Sequence, residues 1–323
     1  MAPTTQTPEG RLAVDQRFLL VAGKGGVGKT TVAAALAISH AAKGKRVLVA
    51  MCNAKERLSV MLGSDLIGED VVKVGPNIWA VNMTPEKALD EYGMLVLKSK
   101  TLYSILFDNK YVRTFFRAVP GMQEWAMLGK AWWHTVETRD DGTPMFDLVI
   151  LDSPATGHGL DMLRVPKVIL EVVPAGLLRR DAERAMEMFQ DPKQCAAILV
   201  TLPEEMPTTE TIELSQALTK ELKIPIGAVV VNGVLPPLFS REERAALEQL
   251  AEAAKPIDEK KITDKNAGDA AILAGENRAS RERVQAESLS RLSRELPVKP
   301  IFFPLLFEDA ANPNAIRELA KRV

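Results

Sequence analysis

A glycine-rich stretch near the start of the chain has the residue types and spacing of a phosphate-binding loop. Residues 23–31 read GKGGVGKTT, and Gly23–Thr30 fits the pattern G-x-x-x-x-G-K-[ST]. The stretch follows an apolar run, FLLVA, and precedes a helical pattern, TTVAAALAISHAA. Glycines there let backbone N–H groups turn inward, and the following helix directs the positive end of its dipole at an anion. The sequence therefore predicts a P-loop.

Individual residues of this loop have separate predicted roles. Lys29 is expected to contact the β- and γ-phosphates of a nucleotide, and the Thr30 hydroxyl to hold Mg²⁺. The nucleotide-binding residues predicted here are Gly23, Lys24, Gly25, Gly26, Val27, Gly28, Lys29, Thr30 and Thr31. Lys24 is unexplained by the motif, because Lys29 already supplies its one required lysine.

A second magnesium ligand is predicted at the end of a later apolar run. FDLVILD ends in Asp152, and ligands gather at the carboxyl ends of parallel strands. The small-residue turn that follows could sense a γ-phosphate and move, as switch segments do. Its residues are Ser153, Pro154, Ala155, Thr156, Gly157 and His158. For His158, a structural hydrogen bond and a catalytic role both stay open.

The elements that position these residues are short apolar runs separated by helical patterns. Most of the runs lack polar alternation, which is typical of strands buried on both faces. The sequence predicts an α/β fold with a doubly wound, mainly parallel sheet of about seven strands. Residues 1–16 are expected to be a flexible tail. Residues 17–323 are expected to form one domain with helical insertions near 84–139, 161–193 and 239–296.

Composition limits the classes of partner and compartment. The chain has 323 residues and a net charge of -1, so no basic excess favours nucleic acid. It has no basic n-region with an apolar core at its start, no apolar run long enough to cross a membrane, and two cysteines. These features predict a cytoplasmic protein without stable membrane insertion.

The additional lysine, Lys24, makes the loop resemble the deviant Walker A group, which includes MinD/ParA proteins, the nitrogenase iron protein and the ArsA ATPases. That resemblance implies that two subunits sandwich two nucleotides face to face. It also implies that Lys24 crosses the interface and acts on the partner's phosphates, as an arginine finger does. The alternative is an exposed lysine beside an anion.

Later motifs are similar to those of the ArsA-like family, which contains the arsenite-pump ATPase and the tail-anchored-protein targeting ATPase. LDSPATGHGLDMLRVP is similar to the family's switch II, D-T-A-P-T-G-H-T-L, with Pro154 and Ala155 exchanged. TLPEEMPTTETIEL, residues 201–214, is similar to a family stretch between two core strands. The resemblance implies ATP and Mg²⁺ as ligands, with Asn232 hydrogen-bonding adenine and Pro304 and Leu305 lying against the base.

The chain departs from the family at switch I, which reads D-P-A elsewhere and supplies an Asp that polarises the attacking water. Here RVLVAM runs into CNAKERLS, which places Cys52 at the Asp and Asn53 at the Pro. A thiol is a poor general base, and an amide can orient water without deprotonating it. Glu56 is the nearest carboxylate, and it is expected to lie on the surface. We therefore predict slow or partner-dependent hydrolysis.

Several functional readings follow from the resemblance. The leading one is an ATP-gated homodimer, or a heterodimer with a paralogue, whose helices open and close around a hydrophobic protein client. Residues 84–139 and the helices of residues 161–190, with Met162, Met186 and Met188, could line that groove or simply pack against one another. The absence of CxxC and the separate positions of Cys52 and Cys195 argue against zinc, an iron–sulfur cluster and arsenite binding.

An ATP-switched interaction protein with little catalysis stays open as an alternative function. A membrane or DNA partitioner is not favoured, because the chain lacks the basic helix that such a protein needs.

Overall fold

The computed structural model describes residues 14–97, 121–254, 266–306 and 312–323. Eight strands form one sheet in the order β3-β4-β2-β5-β1-β6-β7-β8. They are β1 (Phe18–Ala22), β2 (Val47–Cys52), β3 (Val72–Gly75), β4 (Ile78–Met83), β5 (Leu148–Asp152), β6 (Cys195–Thr201), β7 (Ile226–Val234) and β8 (Pro300–Pro304). The neighbouring pairs are parallel, except that β3 runs antiparallel to β4. The predicted α/β fold with a mainly parallel sheet is confirmed.

The strand that the sequence did not predict is β3, at the edge of the sheet. It has four residues, and its pairing with β4 shifts register between Lys73 and Gly75. An edge strand this short buries little apolar surface, so it leaves no long apolar run in the sequence.

Ten helices are described: α1 (Lys29–Ala42), α2 (Leu58–Leu62), α3 (Pro85–Leu97), α4 (Met122–Val136), α5 (Thr156–Val172), α6 (Leu177–Gln190), α7 (Glu205–Gln216), α8 (Arg241–Ala253), α9 (Ala267–Glu295) and α10 (Pro313–Ala320). A π-helical turn, Ala217–Leu222, continues α7. One core cluster joins α1, α2 and α10 to one face of the sheet. A second joins α3, α4, α5, α6, α7 and α9 to the other face. Apolar side chains buried on both faces explain why the strands lack polar alternation.

The predicted helical insertions contain helices wherever they are described. Residues 84–139 supply α3 and α4, and residues 98–120 between them lie outside the described residues. Residues 161–193 contain α6 and most of α5, and residues 239–296 contain α8 and α9. Helix α8 begins with a capping box formed by Ser240 and Glu243, and α9 carries exposed i,i+4 ion pairs such as Arg291–Glu295. The charges of this insertion lie largely on solvated helix faces.

The methionines considered as groove residues are buried. Met162, Met186 and Met188 all belong to the core cluster beneath α5 and α6. Core packing, the alternative that the sequence left open for them, is therefore what the structure shows.

The N-terminal residues 1–13 lie outside the described residues, but Val14 is buried in the core. Packing thus begins within the segment expected to be a tail. Among the residues that the structure describes, no helix is both long and apolar enough to span a membrane.

Candidate active site

The P-loop joins β1 to α1, and two of its glycines have no room for a side chain. A Cβ at Gly23, where φ is +157°, would lie 2.1 Å from the carbonyl oxygen of Val200. A Cβ at Gly28, where φ is +95°, would lie 2.3 Å from Nδ2 of Asn232. The positive φ angles and these close approaches together require glycine. Neighbouring strands β6 and β7 therefore shape the loop.

The side chain of Lys29 folds back across its own loop. Its Nζ donates to the carbonyl oxygens of Gly23 and Lys24, both at 3.0 Å. Burial lowers the pKa of Lys29 from its ordinary value, and the negative charge of Asp152 opposes that shift. A cation held in this way can neutralise phosphate charge with little rearrangement.

Asp152 and Thr30 meet at the carboxyl edge of the sheet, as the sequence predicted for the magnesium pair. The Thr30 hydroxyl donates to Oδ2 of Asp152 at 2.6 Å. Burial raises the pKa of Asp152 to about 6, against the opposing effects of the Thr30 hydrogen bond and the Lys29 charge. A hydroxyl and a carboxylate this close together are hard oxygen ligands of the kind that Mg²⁺ prefers. The residues present therefore fit a magnesium ion.

Switch II lies directly beside the P-loop, but it is shorter than expected. Helix α5 begins at Thr156, so Gly157 and His158 belong to its first turn and only residues 153–155 form the connection. A Cβ at Gly25 would lie 3.6 Å from the Cβ of Ala155, which puts the two loops in contact range. His158 is exposed. A change at the phosphate site can thus reach the start of α5 by direct contact.

The predicted adenine residues lie in β7, at the end of β8 and directly after β8. Asn232 donates from Nδ2 to the carbonyl oxygen of Val27 at 3.0 Å, so its amide braces the P-loop. The backbone N–H of Leu305 donates to the carbonyl oxygen of Val234 at 2.8 Å, which holds the end of β8 against β7. Pro304 pairs with Val234 in the sheet. The structure thus brings these residues to one side of the loop.

The matched family model settles what kind of protein this is. Residues 16–176 and 177–265 match the family described as anion-transporting ATPase, also called ArsA ATPase. The chain belongs to the ArsA ATPase family. The match covers well over half of the chain and includes the P-loop and switch II, so the resemblance inferred from the motifs is confirmed.

Relatives agree with this assignment at modest identity. The chain is 28% identical over 234 residues to ATPase BagA of Mycobacterium tuberculosis, covering 71% of this chain and 68% of that protein. It is 27% identical over 281 residues to ATPase GET3B of Arabidopsis thaliana, and the match covers 70% of this chain and 66% of that protein. It is 27% identical over 326 residues to a putative arsenical pump-driving ATPase of Halobacterium salinarum, and the match covers 96% of this chain and 44% of that protein. Together with the family match, these relatives show that the chain is a nucleotide-binding ATPase.

Cys52 and Asn53, the two residues that stand in place of the switch I Asp-Pro, differ in their exposure to solvent. Met51 pairs with Asp152 in the sheet register, and Cys52 and Asn53 follow it. The Cys52 side chain is buried in the core, and burial together with the nearby Asp152 charge raises the pKa of its thiol. Asn53 is exposed at a φ of +45°, just beyond the strand end. Of the two, Asn53 has the side chain that solvent can reach.

Glu56, the carboxylate nearest to Cys52 in the sequence, is hydrogen-bonded to Ser59. Its Oε1 accepts from the backbone N–H of Ser59 at 2.8 Å, and its Oε2 accepts from the Ser59 hydroxyl at 2.5 Å. Glu56 therefore caps the start of the short helix α2. With both oxygens engaged, it does not replace the missing switch I carboxylate in this structure.

Sequence reasoning missed one charged residue that contacts the P-loop lysine Lys24. Nζ of Lys24 lies 2.5 Å from Oε1 of Glu210 on α7. Glu210 falls within the stretch TLPEEMPTTETIEL, which was recognised only as a family motif. The available signal was that this stretch carries several glutamates and follows β6, the strand that pairs with the P-loop strand β1. Nothing in the sequence identifies which of its several glutamates faces Lys24.

Proposed function

We propose that the chain hydrolyses MgATP as a dimer, homomeric or formed with a paralogue, in which each Lys24 acts on the nucleotide of the partner. The observation that carries this proposal is that the two lysines of the P-loop extend to different places. Lys29 folds back over its own loop, whereas Lys24 leaves it and reaches a side chain of another element. A lysine on that outer side is placed to act outside its own phosphate site.

Each residue of the site has a definite task in this proposal. The backbone N–H groups of the loop and Lys29 bind the phosphates. Thr30 and Asp152 would hold Mg²⁺, which neutralises phosphate charge when it is bound. Lys24 would add positive charge from the partner as charge develops on the transferred group. Asn53 could orient a water molecule but not take its proton, so hydrolysis is expected to be slow or to depend on a partner.

The adenine ring is proposed to lie beside Asn232, Pro304 and Leu305. Their position at one side of the loop supports this assignment, and Leu305 presents an exposed apolar side chain there, 40% accessible. The amide that braces Val27 would then link the base site to the phosphate loop.

We further propose that nucleotide state moves a client-binding region built from the helices. Its candidate surface is a cavity of about 1360 Å³ lined by residues of α3, α4 and α6. Trp133, Val136 and Leu177 line it and are between 37% and 51% exposed. Large apolar side chains left accessible around a concavity are typical of sites that take apolar partners. A hydrophobic protein segment is the proposed client.

The test of the ATPase proposal is phosphate release from MgATP over a series of protein concentrations, with Lys24→Ala beside wild type. If Lys24 acts across an interface, specific activity rises with concentration in wild type and collapses in the variant. Activity independent of concentration and unaffected by the variant would refute the trans role. ATP binding without phosphate release at any concentration would favour an ATP-switched subunit that needs a different partner.

A further inference from the structure

An ion pair holds Lys24 inside its own chain. Its Nζ lies 2.5 Å from Oε1 of Glu210, and the two side chains are 29% and 31% exposed. The residues are 186 positions apart, so the contact exists only because α7 packs beside the P-loop. Both side chains are therefore partly accessible to solvent.

The ion pair conflicts with the role proposed for Lys24. One ammonium group cannot contact Glu210 of its own chain and the phosphates of a partner's nucleotide at the same time. We propose that Glu210 is a positioning residue that retains Lys24 in the resting chain and releases it when a nucleotide-loaded partner binds. This inference rests on the trans role of Lys24 proposed above.

Contacts with other helices hold α7 in place, so Glu210 is the residue of the ion pair that stays fixed. Arg291 of α9 donates to the Thr209 hydroxyl at 2.8 Å, next to Glu210. Two further bonds of 2.8 Å join Arg164 of α5 to both carboxylate oxygens of Glu221, in the π-helical turn after α7. Lys24, by contrast, lies in a loop between glycines. Its side chain is therefore the half that moves.

The expected size of the effect follows from the exposure of the pair. A partly exposed ion pair changes an equilibrium by about 1.4- to 5-fold. Two such pairs break when two chains associate, so removing both should lower the dimer dissociation constant by about 2- to 30-fold. Because surface ion pairs are screened by salt, the difference should shrink as ionic strength rises.

The experiment compares Glu210→Gln with wild type in phosphate release at saturating MgATP over a series of protein concentrations. The protein concentration for half-maximal specific activity should fall about 2- to 30-fold, while the maximal turnover stays unchanged. Glu213→Gln is the matched control, because Glu213 is exposed on the same helix and carries the same charge. The control should leave the half-maximal concentration at the wild-type value.

A double-mutant cycle separates a positioning role from a general effect on α7. Dimer formation is measured by sedimentation in MgATP for wild type, the two single variants and Lys24→Ala combined with Glu210→Gln. If Glu210 acts through Lys24, its substitution tightens the dimer only when Lys24 is present. An equal effect in the Lys24→Ala background would overturn the proposal.

Other outcomes distinguish failure of this inference from failure of the function on which it rests. If Lys24→Ala abolishes concentration-dependent activity but Glu210→Gln leaves the half-maximal concentration unchanged, retention by Glu210 is wrong and the trans role stands. If Glu210→Gln lowers maximal turnover, Glu210 belongs to the assembled site, which also overturns retention. If Lys24→Ala keeps full activity, both proposals fall together.

Discussion

At the residue scale, we propose that the residues at the end of β2 have the largest influence on the rate of hydrolysis. Cys52 is buried in the core and Asn53 is exposed beside the phosphate site. An aspartate at position 53 could face water and serve as a base, whereas one at position 52 would place a carboxylate among apolar side chains. We predict that Asn53→Asp increases phosphate release about tenfold or more.

The matched variant is Cys52→Asp. We predict that it destabilises the protein by about 2–5 kcal/mol without increasing turnover, because a buried carboxyl group lacks a partner there. Urea unfolding and phosphate release measured on both variants test the pair of predictions. Faster hydrolysis by Cys52→Asp than by Asn53→Asp would show that position 52, as the motif alignment suggested, faces the attacking water.

Lys29 allows a second prediction at this scale. Because its ammonium is already fixed over the loop by two carbonyl groups, Lys29→Ala removes a preorganised positive charge from the phosphate site. Phosphate release should fall about 100- to 1000-fold, while the free energy of unfolding changes little. Lys45→Ala, which removes an ion pair with the exposed Asp15, serves as the control and should retain full activity. Loss of activity in both variants would point to an effect on the fold.

At the element scale, we propose that a hydrophobic client binds against helices α4 and α6. Leu177 is 51% exposed on the cavity wall, and a carboxylate placed there would lose hydration when an apolar segment docks. We predict that Leu177→Glu reduces the ability of the ATP-bound protein to keep a hydrophobic peptide from aggregating, at unchanged phosphate release.

The control for that prediction is Leu66→Glu. Leu66 is 79% exposed and does not line the cavity, so its substitution should leave peptide protection intact. Light scattering of the peptide, with ATP, with ADP and without nucleotide, measures both variants. If wild type protects the peptide in no nucleotide state, the client proposal is withdrawn.

At the scale of the whole molecule, a buried histidine couples stability to pH. His40 lies at the end of α1, and burial, together with the charges of Lys45 and Lys43, lowers its pKa to about 4, against a smaller opposing effect of Asp15. The unfolded chain therefore binds a proton between about pH 6.5 and pH 4 that the folded protein does not. His40 thus favours the folded state fully above that window and progressively less as pH falls through it.

We predict that acidification from pH 7 to pH 4 lowers the stability of wild type relative to His40→Gln by up to about 3 kcal/mol. Urea unfolding of the nucleotide-free protein across this range gives the difference. Comparing the two proteins cancels the contribution of Asp152, whose raised pKa acts in the opposite direction. A constant difference between them at all pH values would show that His40 is not buried in its neutral form.

Much of the fold and of the site could be predicted because their signals are local in the sequence. Apolar runs without alternation indicate strands buried on both faces, and the spacing of Gly23, Gly28 and Lys29 indicates a phosphate loop. Asp152 was found because a carboxylate at the end of a parallel strand must lie at the sheet edge. The strand β3 was missed because a four-residue edge strand leaves almost no pattern.

By itself, then, the sequence determined the α/β fold and the family, and it predicted the phosphate loop and its magnesium pair, since each follows from spacing within a short segment. Only the tertiary structure decided which side of β2 holds Cys52 and that Glu210 pairs with Lys24. These outcomes depend on how distant elements pack. Which glutamate of α7 meets the loop is set by the rotation of that helix against the sheet, and no local pattern records it.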